Sequence, residues 1–104
     1  MGFSYLEEQA GNLALQGALT IYEAEELKRF LLDRLKAADH LEIDLSGVEE
    51  LDCSGIQIML LLRKEAETAG KPLQWLQHSP VVSRVLHILN LETQLGEPVS
   101  IVWN

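Results

Sequence analysis

The sequence has a single cysteine, Cys53, in 104 residues. An internal disulfide and any multi-cysteine metal site are thereby excluded. Basic side chains are scarce: eight Lys and Arg stand against sixteen Asp and Glu, a formal charge of -8. That balance repels phosphate backbones and anionic lipid surfaces, so neither nucleic-acid binding nor direct membrane docking is expected. No apolar run reaches the roughly eighteen residues needed to span a bilayer. The first fifteen residues also lack the basic n-region of a secretory signal. Prolines number three, and no Pro/Gly/Ser linker, repeat or low-complexity stretch interrupts the chain, so residues 1–104 read as one domain. What is present is ordinary globular material, 47% hydrophobic and 23% charged. A chain of this size buries about 65% of its unfolded surface, enough for a core without staples. The expectation is an acidic, soluble, cytoplasmic single domain.

Local patterns place the elements. Phe3 and Tyr5 alternate with Ser4, and Leu13 and Leu15 with Asn12 and Gln16, which predicts two strands around Gly11 with Gly17 ending the second. Thr20 and Glu23 have the spacing of a capping box. Ala24, Leu27, Leu31, Leu35 and Ala38 then give one apolar helical face, acidic at its start and basic at its end. Leu41, Ile43 and Leu45 alternate with Glu42, Asp44 and Ser46 as a strand, followed by a turn at Ser46-Gly47 and a short acidic passage. A second helix is expected from about Ser54 to Ala69, stopped by Gly70. Leu73 and Trp75 mark a further strand, Ser79-Pro80 caps a third helix carrying Val82, Val85, Leu86 and Leu89, and Val99, Ile101 and Trp103 form a last strand. The order β-β-α-β-α-β-α-β implies an α/β fold with a partly parallel sheet. Glu42 and Asp44 on one side of their strand argue for helices mostly on one face of that sheet, and against a doubly wound nucleotide-binding arrangement.

The informative stretch runs from Asp44 to Ile56. Ser54 and Gln57 have the spacing of a second capping box, which puts Ser54 at or near a helix N-terminus. Two readings of its hydroxyl stay open: a cap contributing about 1 kcal/mol, or a phosphorylation site where free amides and the helix dipole favour an anion. Asp52 either makes a local backbone bond in the turn, or orients the Ser54 hydroxyl and meets basic groups of a partner. Glu49 and Glu50 read as a solvated edge that would also favour a basic partner. At 100° per residue Ile58, Met59, Leu62, Ala66 and Ala69 face the sheet. Ile56 and Leu60 fall outside that arc, as a docking patch or as packing under the loop from Gln77 to Pro80. Cys53 reads as a small buried thiol, His40, His78 and His87 have no ligand spacing, and Trp75 and Trp103 read as core.

Asp52-Cys53-Ser54-Gly55, after a strand ending Asp44-Leu45-Ser46 and before a long apolar helix, resembles the STAS domain, the family of bacterial anti-sigma factor antagonists and of a related domain in sulfate transporters. Gly17-Ala18-Leu19 before the first helix and Gly70-Lys71-Pro72-Leu73 after the second extend the resemblance over essentially the whole chain. It implies a small mixed β-sheet with helices packed mainly on one face. It also implies that Ser54 is the acceptor for an ATPase-type serine kinase that doubles as the anti-sigma factor, with a metal-dependent serine phosphatase reversing the mark. In that family the unmodified domain holds the kinase and the phosphorylated form is released. Cys53 departs from the usual Ser or Thr, whereas the acceptor Ser54 is kept.

The leading expectation is a non-catalytic partner-switching regulator controlled at Ser54, binding through Asp52, Cys53, Ser54, Gly55, Ile56 and Leu60. The alternative is a constitutive accessory subunit of a transport ATPase or other signalling assembly, anchored by Ile56 and Leu60 with Ser54 only a cap. A homodimer is left open. An enzyme is disfavoured, since the sequence offers no Gly-rich phosphate loop, metal cluster or placed nucleophile–base pair, and no cofactor is expected.

Overall fold

Alternating apolar residues near the N-terminus build a hairpin. In the computed structural model, which describes residues 2–96, β1 (Phe3–Gln9) and β2 (Asn12–Leu19) pair antiparallel. β2 then lies parallel to β3 (Leu41–Leu51), and β3 parallel to β4 (Leu73–Leu76), giving a mixed sheet in the order β1-β2-β3-β4. Parallel neighbours need crossovers. α1 (Ala24–Ala37) joins β2 to β3, α2 (Cys53–Ala69) joins β3 to β4, and α3 (Pro80–Ile88) and α4 (Glu92–Leu95) follow.

The strand alternation resolves as expected. Leu41, Ile43 and Leu45 are buried, while Glu42 and Asp44 on the opposite side stay partly exposed. The buried face joins Leu13, Leu15 and Trp75 in one core with Leu27, Leu31 and Leu35 of α1, Met59, Leu62 and Ala66 of α2, and Val82 and Leu86 of α3. Each leucine taken out of water there contributes about 1.5–3 kcal/mol, so the three helices are held to the sheet by their stripes more than by propensity. The other face carries a shallow recess lined by Leu6, Asn12, Ala14, Glu42, Asp44 and Leu76.

Several local expectations are corrected. Gly17 does not end β2; it sits inside the strand at φ 92°, where the pairing with β3 shifts register before Ala18. A side chain at that position would meet the Gly2 carbonyl oxygen at 2.6 Å, so glycine allows a bulge where another residue would break the hairpin. Ser46-Gly47 is likewise no turn: β3 runs on to Leu51 and stays paired with β2, with a register shift between Asp44 and Gly47 and another between Val48 and Glu50. Thr20 and Glu23 do meet, but side chain to side chain, with the Thr20 hydroxyl donating to the Glu23 carboxylate at 2.7 Å. A short 3-10 turn, Ile21–Glu23, therefore precedes α1 in place of a capping box.

The other helix ends follow the sequence. α2 stops at Gly70 in the left-handed region, and Ser79 Oγ accepts from Val82 N–H at the start of α3, with Pro80 in its first turn. Lys71, just past α2, places its ammonium 2.7 Å from the Leu35 carbonyl and 3.3 Å from that of Lys36, so a cation closes the carbonyl end of α1. Within the expected third-helix face, Val82 and Leu86 are buried and Val85 is half-buried, but Leu89 is exposed. α4 was not anticipated; it buries Leu95, whose carbonyl lies 2.9 Å from His78 Nε2. The strand expected at Val99, Ile101 and Trp103 lies outside the described residues.

Candidate functional site

The C-terminal ends of β2 and β3 and the start of α2 converge on Asp52. Its backbone is extended and its N–H donates to the Leu19 carbonyl at 3.4 Å, which fixes the end of β3 against the end of β2. Its carboxylate faces the other way. Oδ1 accepts from the N–H groups of Ser54 and Gly55 at 2.9 and 3.2 Å, and Oδ2 accepts from the N–H of Ile21 at 3.1 Å. Asp52 is thus the N-cap of α2, satisfying amides that the helix itself cannot. The local-bond reading of Asp52 holds, with a long-range bond added to it.

Ser54 is therefore not the cap. It is the second residue of α2, half-buried, and among the described residues its hydroxyl has no hydrogen-bond partner. The side chain lines a groove between α1 and α2, together with Ala24, Glu25 and Lys28 on one side and Gln57, Ile58 and Leu61 on the other. Cys53, expected to be buried, is exposed beside it. Gly55 is buried for a steric reason: a Cβ there would lie 2.3 Å from the Leu19 carbonyl oxygen and 2.7 Å from Leu51 Cδ1.

Asp52, Cys53, Ser54 and Gly55 are brought together in one helical turn, but Ile56 leaves the surface. It is 4% exposed and part of the core, and Leu60 is half-buried against that core. The outward docking patch expected from those two residues is corrected accordingly. The reason is packing on several sides: α2 touches α1, β3 and α4, so its buried arc is about 160° wide at 100° per residue, not a narrow stripe.

The exposed apolar groups lie elsewhere. Ile21 is 65% and Tyr22 90% exposed, on the 3-10 turn that donates to Asp52. Tyr22 falls off the apolar stripe of α1, which is the one sequence signal that could have marked it. Ile88 and Leu89 are exposed at the far end of α3. Charge is also unevenly placed. Glu23, Glu25, Glu26, Glu49, Glu50 and Asp52 occupy the strand ends and helix starts around Ser54, whereas Arg34, Lys36 and Lys71 gather where α1 ends. Arg34 there pairs with Glu7 at 3.0 Å and lies over the Tyr5 and Phe30 rings.

Among the described residues no three His, Cys, Asp or Glu are grouped to hold a metal ion, and no helix is long and apolar enough to cross a membrane. The groove at Ser54 is open to solvent on one side.

Comparison with known proteins agrees with this geometry. Among curated proteins none matches the chain in sequence. An anti-sigma factor antagonist from Mycobacterium paratuberculosis superposes with a TM-score of 0.77 at 21% identity, over 94% of this chain and 87% of that chain. The Bacillus cell fate determinant SpoIIAA in its phosphorylated form gives 0.67 at 16% identity, over 94% of this chain and 92% of that one. A chain of the Pseudomonas aeruginosa complex between the diguanylate cyclase SiaD and its activator SiaC gives 0.57 at 25% identity, over 86% of this chain and 81% of that one. The family described as Mlab, STAS domain, matches residues 5–100. With that match over nearly the whole length, and a four-stranded mixed sheet flanked by helices on one face, the chain belongs to the STAS domain family.

Proposed function

We propose that this STAS domain is a non-catalytic partner-switching regulator whose state is set by phosphorylation of Ser54. The observation that carries the reading is the position of that hydroxyl. Asp52 does the capping, so the Ser54 Oγ is left without a partner among the described residues, lining a groove and two residues from Asp52, which bonds the turn carrying the exposed Ile21 and Tyr22. A phosphate there adds about 1.5 to 2 negative charges and needs no rearrangement of the fold. In an interface it would be desolvated next to the Asp52 carboxylate, and like charges in such contacts cost several kcal/mol. The partner is an ATPase-type serine kinase that also serves as anti-sigma factor, and a metal-dependent serine phosphatase restores the binding form. Among its structural neighbours, SpoIIAA has a phosphorylated form and SiaC binds an enzyme it activates, which supports a modifiable, protein-binding role. The docking surface comprises Asp52, Cys53, Ser54 and Gln57, together with Ile21 and Tyr22; Gly55 contributes by its lack of a side chain, and Leu60 by its exposed edge. A fixed adaptor anchored by Ile56 is less well supported, because that side chain is in the core.

The test is an affinity pull-down from host extract with wild type, Ser54→Ala and Ser54→Asp, read by mass spectrometry that also looks for phosphate on Ser54. A serine kinase retained by wild type and Ser54→Ala, and depleted at least tenfold with Ser54→Asp, is the expected outcome. The same partners on all three baits would make the protein a constitutive subunit instead.

A further inference from the structure

One carboxylate at the site serves two segments. Oδ1 of Asp52 holds the first amides of α2, while Oδ2 reaches the N–H of Ile21, thirty-one residues away along the chain. Besides the Ala24 N–H, which donates to the Ile21 carbonyl and joins the turn to α1, the second segment has few other ties. The Thr20 hydroxyl is committed to Glu23, no side chain caps the 3-10 turn, and neither Ile21 nor Tyr22 is buried. Within the turn the Glu23 N–H donates to the Thr20 carbonyl at 3.0 Å, which shapes it but does not fix it to the rest of the domain.

We infer that Asp52 is a positioning residue: it holds the Ile21–Tyr22 turn against the start of α2 as one continuous docking surface, and a negative charge on Ser54 loosens that turn. A charged group on Ser54 stands two residues from Asp52 and competes for the N–H groups of Ser54 and Gly55 that now face Oδ1. Like charge also raises the cost of keeping the Asp52 carboxylate where it is. The bond given up first is the single one to Ile21 through Oδ2, at 3.1 Å and exposed, since Oδ1 is anchored by two amide donors of α2. The surface so assembled presents an isoleucine and a tyrosine among Glu23, Glu25, Glu26, Glu49 and Glu50, and it fits a protein with an apolar recess bordered by Lys or Arg. The use of this coupling in switching rests on the proposed function; the coupling itself belongs to the isolated chain.

Residue-resolved amide hydrogen exchange on the full chain tests it. Asp52→Asn keeps a good N-cap, since asparagine caps as well as aspartate, but its amide group cannot offer both acceptors. The Ile21 amide is expected to exchange about tenfold faster in this variant, with Ser54 and Gly55 amides still protected. Ser54→Glu is expected to speed exchange at Ile21 and Tyr22 several-fold, Ser54→Gln to leave it unchanged, and the charge effect to vanish in the Asp52→Asn background. Should Asp52→Asn fail to fold, Ile21→Pro removes the donor instead. Proline is accepted at a first helical position, and Thr20 before it is already extended at φ -127°, ψ 178°. In that background Ser54→Glu should leave the Tyr22 amide unmoved. Wild-type exchange at Ile21 in Asp52→Asn, or equal effects of Ser54→Glu and Ser54→Gln, overturns the inference. A kinase that ignores Ser54→Asp, with the Ile21 amide still responding to Ser54→Glu, defeats the switch and leaves the coupling standing. The opposite pair of results defeats the coupling alone.

Discussion

Replacing Gly55 by alanine sets two physical effects against each other. In a helix interior alanine is better than glycine by about 1 kcal/mol, so propensity alone makes Gly55→Ala stabilising. The structure says otherwise. The added methyl would stand 2.3 Å from the Leu19 carbonyl oxygen and 2.7 Å from Leu51 Cδ1. The leucine tip can turn away, but the oxygen belongs to β2, and the adjacent Asp52 N–H bonds to it. Relieving the contact takes a shift of about 1 Å between the start of α2 and the end of β2, at the upper end of the 1–3 kcal/mol that overpacking costs. Net of the propensity gain, the expected loss is about 2 kcal/mol, or about 8–16 °C in Tm for a domain of this size. Urea denaturation followed by far-UV circular dichroism measures it. A variant as stable as wild type, or more so, would refute the close approach of α2 to β2. Gly70→Ala is the control: nothing lies within 4 Å of the added methyl, and only the left-handed backbone at φ 69° resists it, so about 1 kcal/mol is expected.

Three further outcomes follow from the site and its supports. Ser54→Ala should change stability by less than about 0.5 kcal/mol, whereas Asp52→Ala should cost about 1–2 kcal/mol in the same denaturation assay, because the cap is Asp52. Tyr22→Ala should leave the unfolding midpoint unchanged, since the ring is 90% exposed, and should weaken binding of the isolated partner kinase at least tenfold by titration calorimetry. Lys71→Met should lower stability by about 1 kcal/mol through loss of its contacts to the Leu35 and Lys36 carbonyls, and kinase affinity should be unaffected.

Where the sequence was legible, the deciding physics was local. Ser79-Pro80 marks a helix start from two adjacent residues, Gly70 marks a stop from one, and the alternation from Leu41 to Leu45 marks a strand with one wet side. The site itself needed more. Asp52 and Ser54 are both competent caps two residues apart, and only the continuation of β3 to Leu51 and the approach of Ile21 decide between them. Gly17 looked like a strand end because positive φ favours turns; pairing on both sides makes it a bulge. Ile56 looked outward because a helical wheel assumes one buried face, and α2 has neighbours on more than one side. These three misses turned on contacts between segments distant in sequence, whereas the Thr20–Glu23 contact that replaces a capping box is local.

The uneven charge along the molecule, a surplus of acids around Ser54 against mixed charge where α1 ends (Arg34, Lys36 and Lys71 beside Glu7, Asp33 and Asp39), bears on how fast encounters happen. A body so polarised turns in the field of a basic partner and arrives acidic end first, and its arrival rate falls as ionic strength rises. In the proposed switch, a phosphate on Ser54 would deepen that polarity and leave arrival at the partner fast. The proposed mark would then act after collision, on departure, and stopped-flow traces should show a faster dissociation limb with the association limb intact.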